Sequence, residues 1–142
     1  MTIKIGINGL GRIGRMIIRS LIENNNKRIE IKHINSRSNT EVVSSLLMHD
    51  SIHGKFNCKI KYSDKHLTIN GKKITFSQHS NLNEIKWKNF GVDYVLECTG
   101  KFNSKDKLIP HIKNGAKKVI VSAPCKNADK TIVYGVNHKS IN

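Results

Sequence analysis

The stretch Ile3-Lys4-Ile5-Gly6-Ile7-Asn8-Gly9-Leu10-Gly11-Arg12-Ile13-Gly14 decides the fold. Its first half alternates and is rich in β-branched residues, which reads as a strand. Three glycines follow in the pattern G-x-G-x-x-G, and Ile13, Met16, Ile17, Ile18, Leu21 and Ile22 then recur at helical spacing to about Glu23. Asn24-Asn25-Asn26-Lys27 interrupts that helix, and Ile29-Glu30-Ile31-Lys32-His33-Ile34 forms a second strand ending at Asn35. The result is a βαβ unit of about 34 residues, the span expected of that motif. A bare glycine pattern has little specificity. Between a strand and a helix, inside such a unit, it has the context of a dinucleotide-binding turn. Gly9 permits the tight turn, Gly11 lets a pyrophosphate approach the backbone, and Gly14 lets helix and strand pack closely. The helix amino terminus adds unpaired N–H groups and a positive dipole for the phosphates.

Further along the chain, Asn39-Thr40 offers capping side chains for a second helix carrying Val42, Val43, Leu46 and Leu47 on its buried side. Lys55 to Ser77 reads as short strands broken at Ser63-Asp64 and at Asn70-Gly71, the latter a strong hairpin signal. Strand-helix alternation resumes with Val92-Asp93-Tyr94-Val95-Leu96-Glu97, a helix from about Ser104 to Asn114, and strands at Val119-Ile120-Val121 and Thr131-Ile132-Val133-Tyr134. Neither a linker nor a repeat interrupts this order. The pattern predicts an α/β chain: a Rossmann-like, doubly wound, mostly parallel sheet with a short antiparallel β excursion at about residues 55–77, in one domain over residues 1–142.

Length and composition agree with this. The 142 residues, 37% of them hydrophobic, suit a single domain with a real core. No run approaches the ~18 consecutive apolar residues of a membrane span, and Met1-Thr2-Ile3-Lys4-Ile5 carries no signal-peptide h-region. Cys58, Cys98 and Cys125 are too few and too widely spaced for a disulfide framework or a metal site, which implies a reducing, cytoplasmic setting. The formal charge of +15 raises nucleic-acid binding as a reading. However, most of the positive residues are lysines standing singly or in pairs, such as Lys72-Lys73 and Lys117-Lys118. That is compositional bias on solvent faces, so specific nucleic-acid binding is not expected.

The end of the second strand is where such folds read the adenosine ribose. A carboxylate there bonds the 2′-hydroxyl of NAD, and an Arg nearby suits the 2′-phosphate of NADP. Here the segment is Asn35-Ser36-Arg37-Ser38, without a carboxylate. Ser36 can donate to a 2′-phosphate and Arg37 can fork onto it. The alternative is that Arg37 is a solvated loop residue. The cofactor is therefore NAD or NADP, with NADP admitted by Ser36 and Arg37.

Ile7-Asn8-Gly9-Leu10-Gly11-Arg12-Ile13-Gly14-Arg15 resembles the opening signature of the phosphorylating glyceraldehyde-3-phosphate dehydrogenases. The resemblance continues through Asp50-Ser51-Ile52-His53-Gly54-Lys55-Phe56, Glu97-Cys98-Thr99-Gly100, Gly115-Ala116-Lys117-Lys118-Val119, Ser122-Ala123-Pro124 and Gly135-Val136-Asn137-His138, in family order and spacing. It implies cofactor contacts at the pyrophosphate from Arg12 and Ile13, beside the cofactor from Asn8, along its adenosine and pyrophosphate side from Thr99 and Gly100, and near the nicotinamide half from Ser122. It also implies a homotetramer for the full-length enzyme.

Two local departures stand out. Ser36 occupies the position where the family usually has Asp, and Gln78-His79-Ser80-Asn81 replaces a Glu-Arg-Asp cluster, so no role passes to that loop. The family's Ser-x-Ser-Cys-Thr-Thr-Asn nucleophile segment would come after Asn142. The chain therefore matches the cofactor-binding part, without the catalytic domain and the carboxyl-terminal helix, and is expected to show no turnover alone. No His stands beside Cys98 or Cys125 in sequence to activate either. His49, His53, His66, His79 and His111 are expected as surface or packing residues. Erythrose-4-phosphate dehydrogenase and a non-catalytic NAD(P)-binding module are the alternative readings.

Overall fold

The computed structural model describes residues 1–141. Strand β1 (Ile3–Asn8) enters the glycine turn and helix α1 (Arg12–Glu23), which returns to β2 (Ile29–Asn35). Helix α2 (Thr40–Met48) follows, then a two-stranded antiparallel ribbon, β3 (His49–Asp50) with β4 (Gly54–Lys55), that the sequence does not announce. The meander β5 (Ile60–Ser63), β6 (His66–Ile69) and β7 (Lys72–Ser77) precedes β8 (Tyr94–Glu97), α3 (Lys105–Lys113) and β9 (Lys118–Val121). The seven main strands stand in the order β5-β6-β7-β2-β1-β8-β9.

Four of the six pairings in this sheet are parallel: β7 with β2, β2 with β1, β1 with β8, and β8 with β9. The antiparallel pairs are β5–β6 and β6–β7. The meander is thus part of the same sheet. Its last strand docks parallel on β2 in the register His33↔Thr75, Ile34↔Phe76, Asn35↔Ser77. Asn70 and Gly71 both take positive φ, 49° and 80°, as a two-residue hairpin turn of this type requires.

Side chains on β1 alternate between two faces. Ile5 and Ile7 join Leu10, Ile18, Ile34, Val43, Leu47 and Phe56 in the larger core, under α1 and α2. Gly6 and Asn8 face the other way. There a Cβ on Gly6 would lie 2.5 Å from the Trp87 ring, so only glycine lets Trp87 lie on the strand. Trp87 is fully buried with Leu82, Ile85, Val92, Val95 and Ala116 in the second core. Each fully buried Ile, Leu or Phe contributes about 1.5–3 kcal/mol, so both faces of the sheet are anchored.

Two sequence expectations are corrected. Val42 and Leu46 are 45% and 40% exposed, because α2 buries the stripe of Thr40, Val43, Ser44 and Leu47 instead. Thr131–Tyr134 forms no strand. The Asn137 side chain accepts from Val133 N at 2.7 Å and donates to the Thr131 carbonyl at 3.0 Å, so local bonds curl the segment into a turn.

Candidate dinucleotide-binding site

The carboxyl ends of β2, β1, β8 and β9 lie side by side; the chain runs outward from β1 to β2 and the meander on one side, then crosses from β7 back to β8 on the other side of β1. Open α/β sheets bind ligands at such a switch point. Gly9 N donates to Asn35 O and Cys98 N to Asn8 O, both at 2.8 Å, which zips the three strand ends together just below the turn.

The turn itself is tightly determined. Gly9 has φ +94°, and a Cβ there would meet the Thr99 backbone at 2.8 Å. A Cβ on Gly14 would lie 2.2 Å from the Gly9 carbonyl oxygen. Gly11 differs: nothing lies within 4 Å of its Cβ position, so the space beside it is open to a ligand. Gly11 caps α1 with backbone only, without a side-chain bond, and the first turn holds no acidic residue. The amide groups at the start of α1, with their positive dipole, therefore face that space. The turn is thus closed by backbone contacts at Gly9 and Gly14 and open beside Gly11 at the uncapped amino terminus of α1.

The remaining predicted residues fall around this turn. Arg12 and Ile13 open α1 and are exposed. Asn8 and Asn35 are in register on adjacent strands and buried, with Asn35 Nδ2 donating to Asn8 Oδ1 at 2.8 Å. Thr99 and Gly100 follow β8, and Ser122 follows β9, its N–H donating to the Glu97 carbonyl at 3.0 Å. Ser36 is buried and donates its N–H to Ser77 O, whereas Arg37 is exposed, its carbonyl accepting from Gln78 Nε2 at 3.2 Å. Asn35 also pairs with the His79 backbone in both directions at 2.9 Å, which ties the 78–81 loop to the end of β2.

Sequence reasoning missed three groups. Asp50 makes a two-pronged contact with the Arg12 guanidinium, at 3.2 and 3.3 Å, and also accepts from the His53 and Ile52 amides. Those backbone bonds and the Arg12 charge hold its carboxyl down at about 2. Arg19, buried on α1, donates to the His53 and Gly54 carbonyls and sits 5.0 Å above the Phe56 ring, so α1 grips the 50–56 loop at two points.

Glu97 is the second group: 1% exposed, it hydrogen-bonds Asn8, Thr99 and His111. Burial alone would raise its pKa, but the donors of His111, Thr99 and Asn8 outweigh it and hold the carboxyl below its usual range. The third is His111, fully buried between Glu97 and Trp87. Trp87 Nε1 can only donate, so His111 Nδ1 accepts at 2.9 Å and the ring proton sits on Nε2, facing Glu97. An acidic residue closing the apolar run Tyr94-Val95-Leu96 was the available signal, since a buried carboxylate needs donors.

Burial pushes the Cys98 thiol up, offset in part by a hydrogen bond with Ser122, and burial likewise raises Cys58. Among the described residues no cluster of three or more His, Cys, Asp or Glu could hold a metal. Nor is any helix among them long and apolar enough to cross a membrane.

The switch point, the packed glycine turn and the uncapped helix together define a dinucleotide-binding domain of the Rossmann type. Comparison with known sequences makes this specific. A family model described as the NAD binding domain of glyceraldehyde 3-phosphate dehydrogenase matches residues 3–105. The chain is 44% identical over 141 residues to the glyceraldehyde-3-phosphate dehydrogenase of Cereibacter sphaeroides, covering 99% of this chain and 42% of that protein. It is 42% identical over 140 residues to that of Pseudomonas aeruginosa, covering 98% of this chain and 42% of that protein. To glyceraldehyde-3-phosphate dehydrogenase 2 of Bacillus subtilis it is 42% identical over 137 residues, covering 96% and 40% respectively. The chain belongs to the glyceraldehyde-3-phosphate dehydrogenase family, an oxidoreductase family, and contains its NAD-binding domain. It spans about two fifths of the length of these relatives.

Proposed function

We propose that this chain is the cofactor-holding part of an NAD(P)-dependent glyceraldehyde-3-phosphate dehydrogenase, whose reaction is aldehyde oxidation coupled to phosphorylation. The observation that carries the reading is the open Gly11 position at the uncapped start of α1, inside the segment that matches the family's NAD-binding domain. The amides of α1 and the Arg12 side chain receive the pyrophosphate. Asn8, Gly9, Gly14, Thr99 and Gly100 shape the surface beneath it, Asn35, Ser36 and Arg37 face the adenosine ribose, and Ser122 lies toward the nicotinamide. The bound nicotinamide supplies a hydride acceptor. Cys58, Cys98 and Cys125 are not the reacting thiol, and the purified 142-residue chain gives no turnover; a measurable rate would refute this. The family relation supports a homotetramer for the full-length enzyme, and the three free cysteines support a reducing, cytoplasmic setting.

The site accepts NADP as well as NAD. A carboxylate at position 36 would repel a 2′-phosphate, whereas Ser36 beside Arg37 offers a donor and a cation. Isothermal titration of the chain with both cofactors tests this. Ser36→Asp is expected to weaken NADP at least tenfold relative to NAD, and Arg37→Ala, at an exposed position, to weaken NADP selectively. Discrimination unchanged in both variants would overturn the NADP reading.

A further inference from the structure

One buried carboxylate joins the elements on both sides of the glycine turn. Glu97 Oε2 accepts from Asn8 Nδ2 at 2.6 Å and from His111 Nε2 at 2.9 Å, while Oε1 accepts from Thr99 N at 2.9 Å and from Thr99 Oγ1 at 2.5 Å. Asn8 is the residue before Gly9, and its partner Asn35 is the one whose carbonyl accepts from Gly9 N. Thr99 is the residue whose backbone abuts Gly9 on its other side. Gly9 in turn presses its carbonyl against Gly14, in the first turn of α1. A continuous series of short contacts therefore runs from Trp87 through His111 and Glu97 to the turn and the start of α1.

We propose that Glu97 is the positioning residue of the dinucleotide site: by fixing Asn8 and Thr99 on the two strand ends that flank the Gly9 turn, it sets the direction in which the first N–H groups of α1 point. This rests on the reading that the turn holds a dinucleotide pyrophosphate. The sign of its effect is informative. A carboxylate near a pyrophosphate is by itself repulsive, so removing its charge should tighten binding if proximity were all that mattered. If positioning dominates, Glu97→Gln weakens binding. The amide would turn a donor toward Asn8 and His111 or toward Thr99, and whichever side it faces loses its bond.

His111 supplies the second test, since it lies in α3 and reaches the turn only through Glu97. His111→Gln can keep a donor at the place of Nε2, and His111→Leu cannot. Both lose the aromatic ring.

The experiment titrates the full chain and its Glu97→Gln, His111→Gln and His111→Leu variants with ADP-ribose, which carries the pyrophosphate without the nicotinamide. The expected result is a loss of at least tenfold in affinity for Glu97→Gln and about threefold for His111→Leu, with His111→Gln close to wild type. Should Glu97→Gln fail to fold, the two His111 variants decide, because a general packing defect would move both equally. Affinity unchanged or raised in Glu97→Gln, or equal losses in the two His111 variants, would overturn the inference while leaving the cofactor reading intact. A wild-type chain that takes up no ADP-ribose would overturn the cofactor reading and this inference with it.

Discussion

Two glycine turns in this chain look alike in sequence and differ in what surrounds them. Asn70-Gly71 joins β6 to β7, and nothing lies within 4 Å of the Cβ position on Gly71. Gly9 to Gly14 joins β1 to α1, and at both of its ends an added Cβ would strike backbone. The hairpin needs glycine for its φ angle alone. The βα turn needs glycine for φ at Gly9 and for contact at Gly14, whose φ is unexceptional. A turn that only reverses the chain can stand free in solvent. One that must present a helix terminus to a ligand has to be wedged from behind.

The largest effect expected from breaking this contrast is at Gly14→Ala. A Cβ 2.2 Å from a carbonyl oxygen forces β1 and α1 apart, and a loss of about 3 kcal/mol or more is expected in urea unfolding. Retained stability would mean that the close approach is not obligatory. Gly9→Ala combines left-handed strain with the Thr99 contact and should cost slightly less, about 2–3 kcal/mol. Gly71→Ala carries only the strain of its positive φ and should cost about 1 kcal/mol, with dinucleotide affinity unchanged. A cost at Gly71 equal to that at Gly14 would erase the distinction.

A pH-dependent contrast comes from the polar contacts between β2 and β7. Burial, helped by His79, lowers His33 to about 3, and its ring stacks on Phe90 at 3.7 Å and bonds Thr75 and Ser77. Between pH 6.5 and 3 the unfolded chain binds a proton that the folded ring refuses. Stability is therefore full above pH 6.5 and falls as the pH drops toward 3. Replacing His33 with Gln should flatten that dependence by up to one proton, about 1.4 kcal/mol per pH unit, read as unfolding midpoint against pH. Asp50 acts in a lower window. Its pairing with Arg12 and the 52–53 amides is lost as pH falls from 3.8 through about 2, so an unchanged slope above pH 4 is expected for Asp50→Asn.

Much of the fold was legible because local chemistry and global arrangement agree. The β-branched run before the glycines, the helical period after them, the Asn39 cap that accepts from Val42 N at 2.9 Å, and the Asn70-Gly71 turn each fix an element without reference to the rest. The fate of the meander was not legible, since no property of Lys72–Ser77 alone says that it will dock parallel on β2. The site divides in the same way. Gly9 and Gly14 announce themselves by spacing, because the positive φ of Gly9 and the contact of Gly14 with the Gly9 carbonyl are backbone geometry within one βα turn.

Glu97, His111 and Asp50 do not, because their roles exist only across long separations in the chain: 89 residues from Asn8 to Glu97, 38 from Arg12 to Asp50. The amino-acid sequence by itself determined the βαβ unit, the glycine turn and the family. Only the tertiary structure decided which buried polar groups meet behind that turn. Spacing along a strand or helix is set by bond geometry, whereas a buried carboxylate is satisfied by whatever donors the packed sheet brings to it.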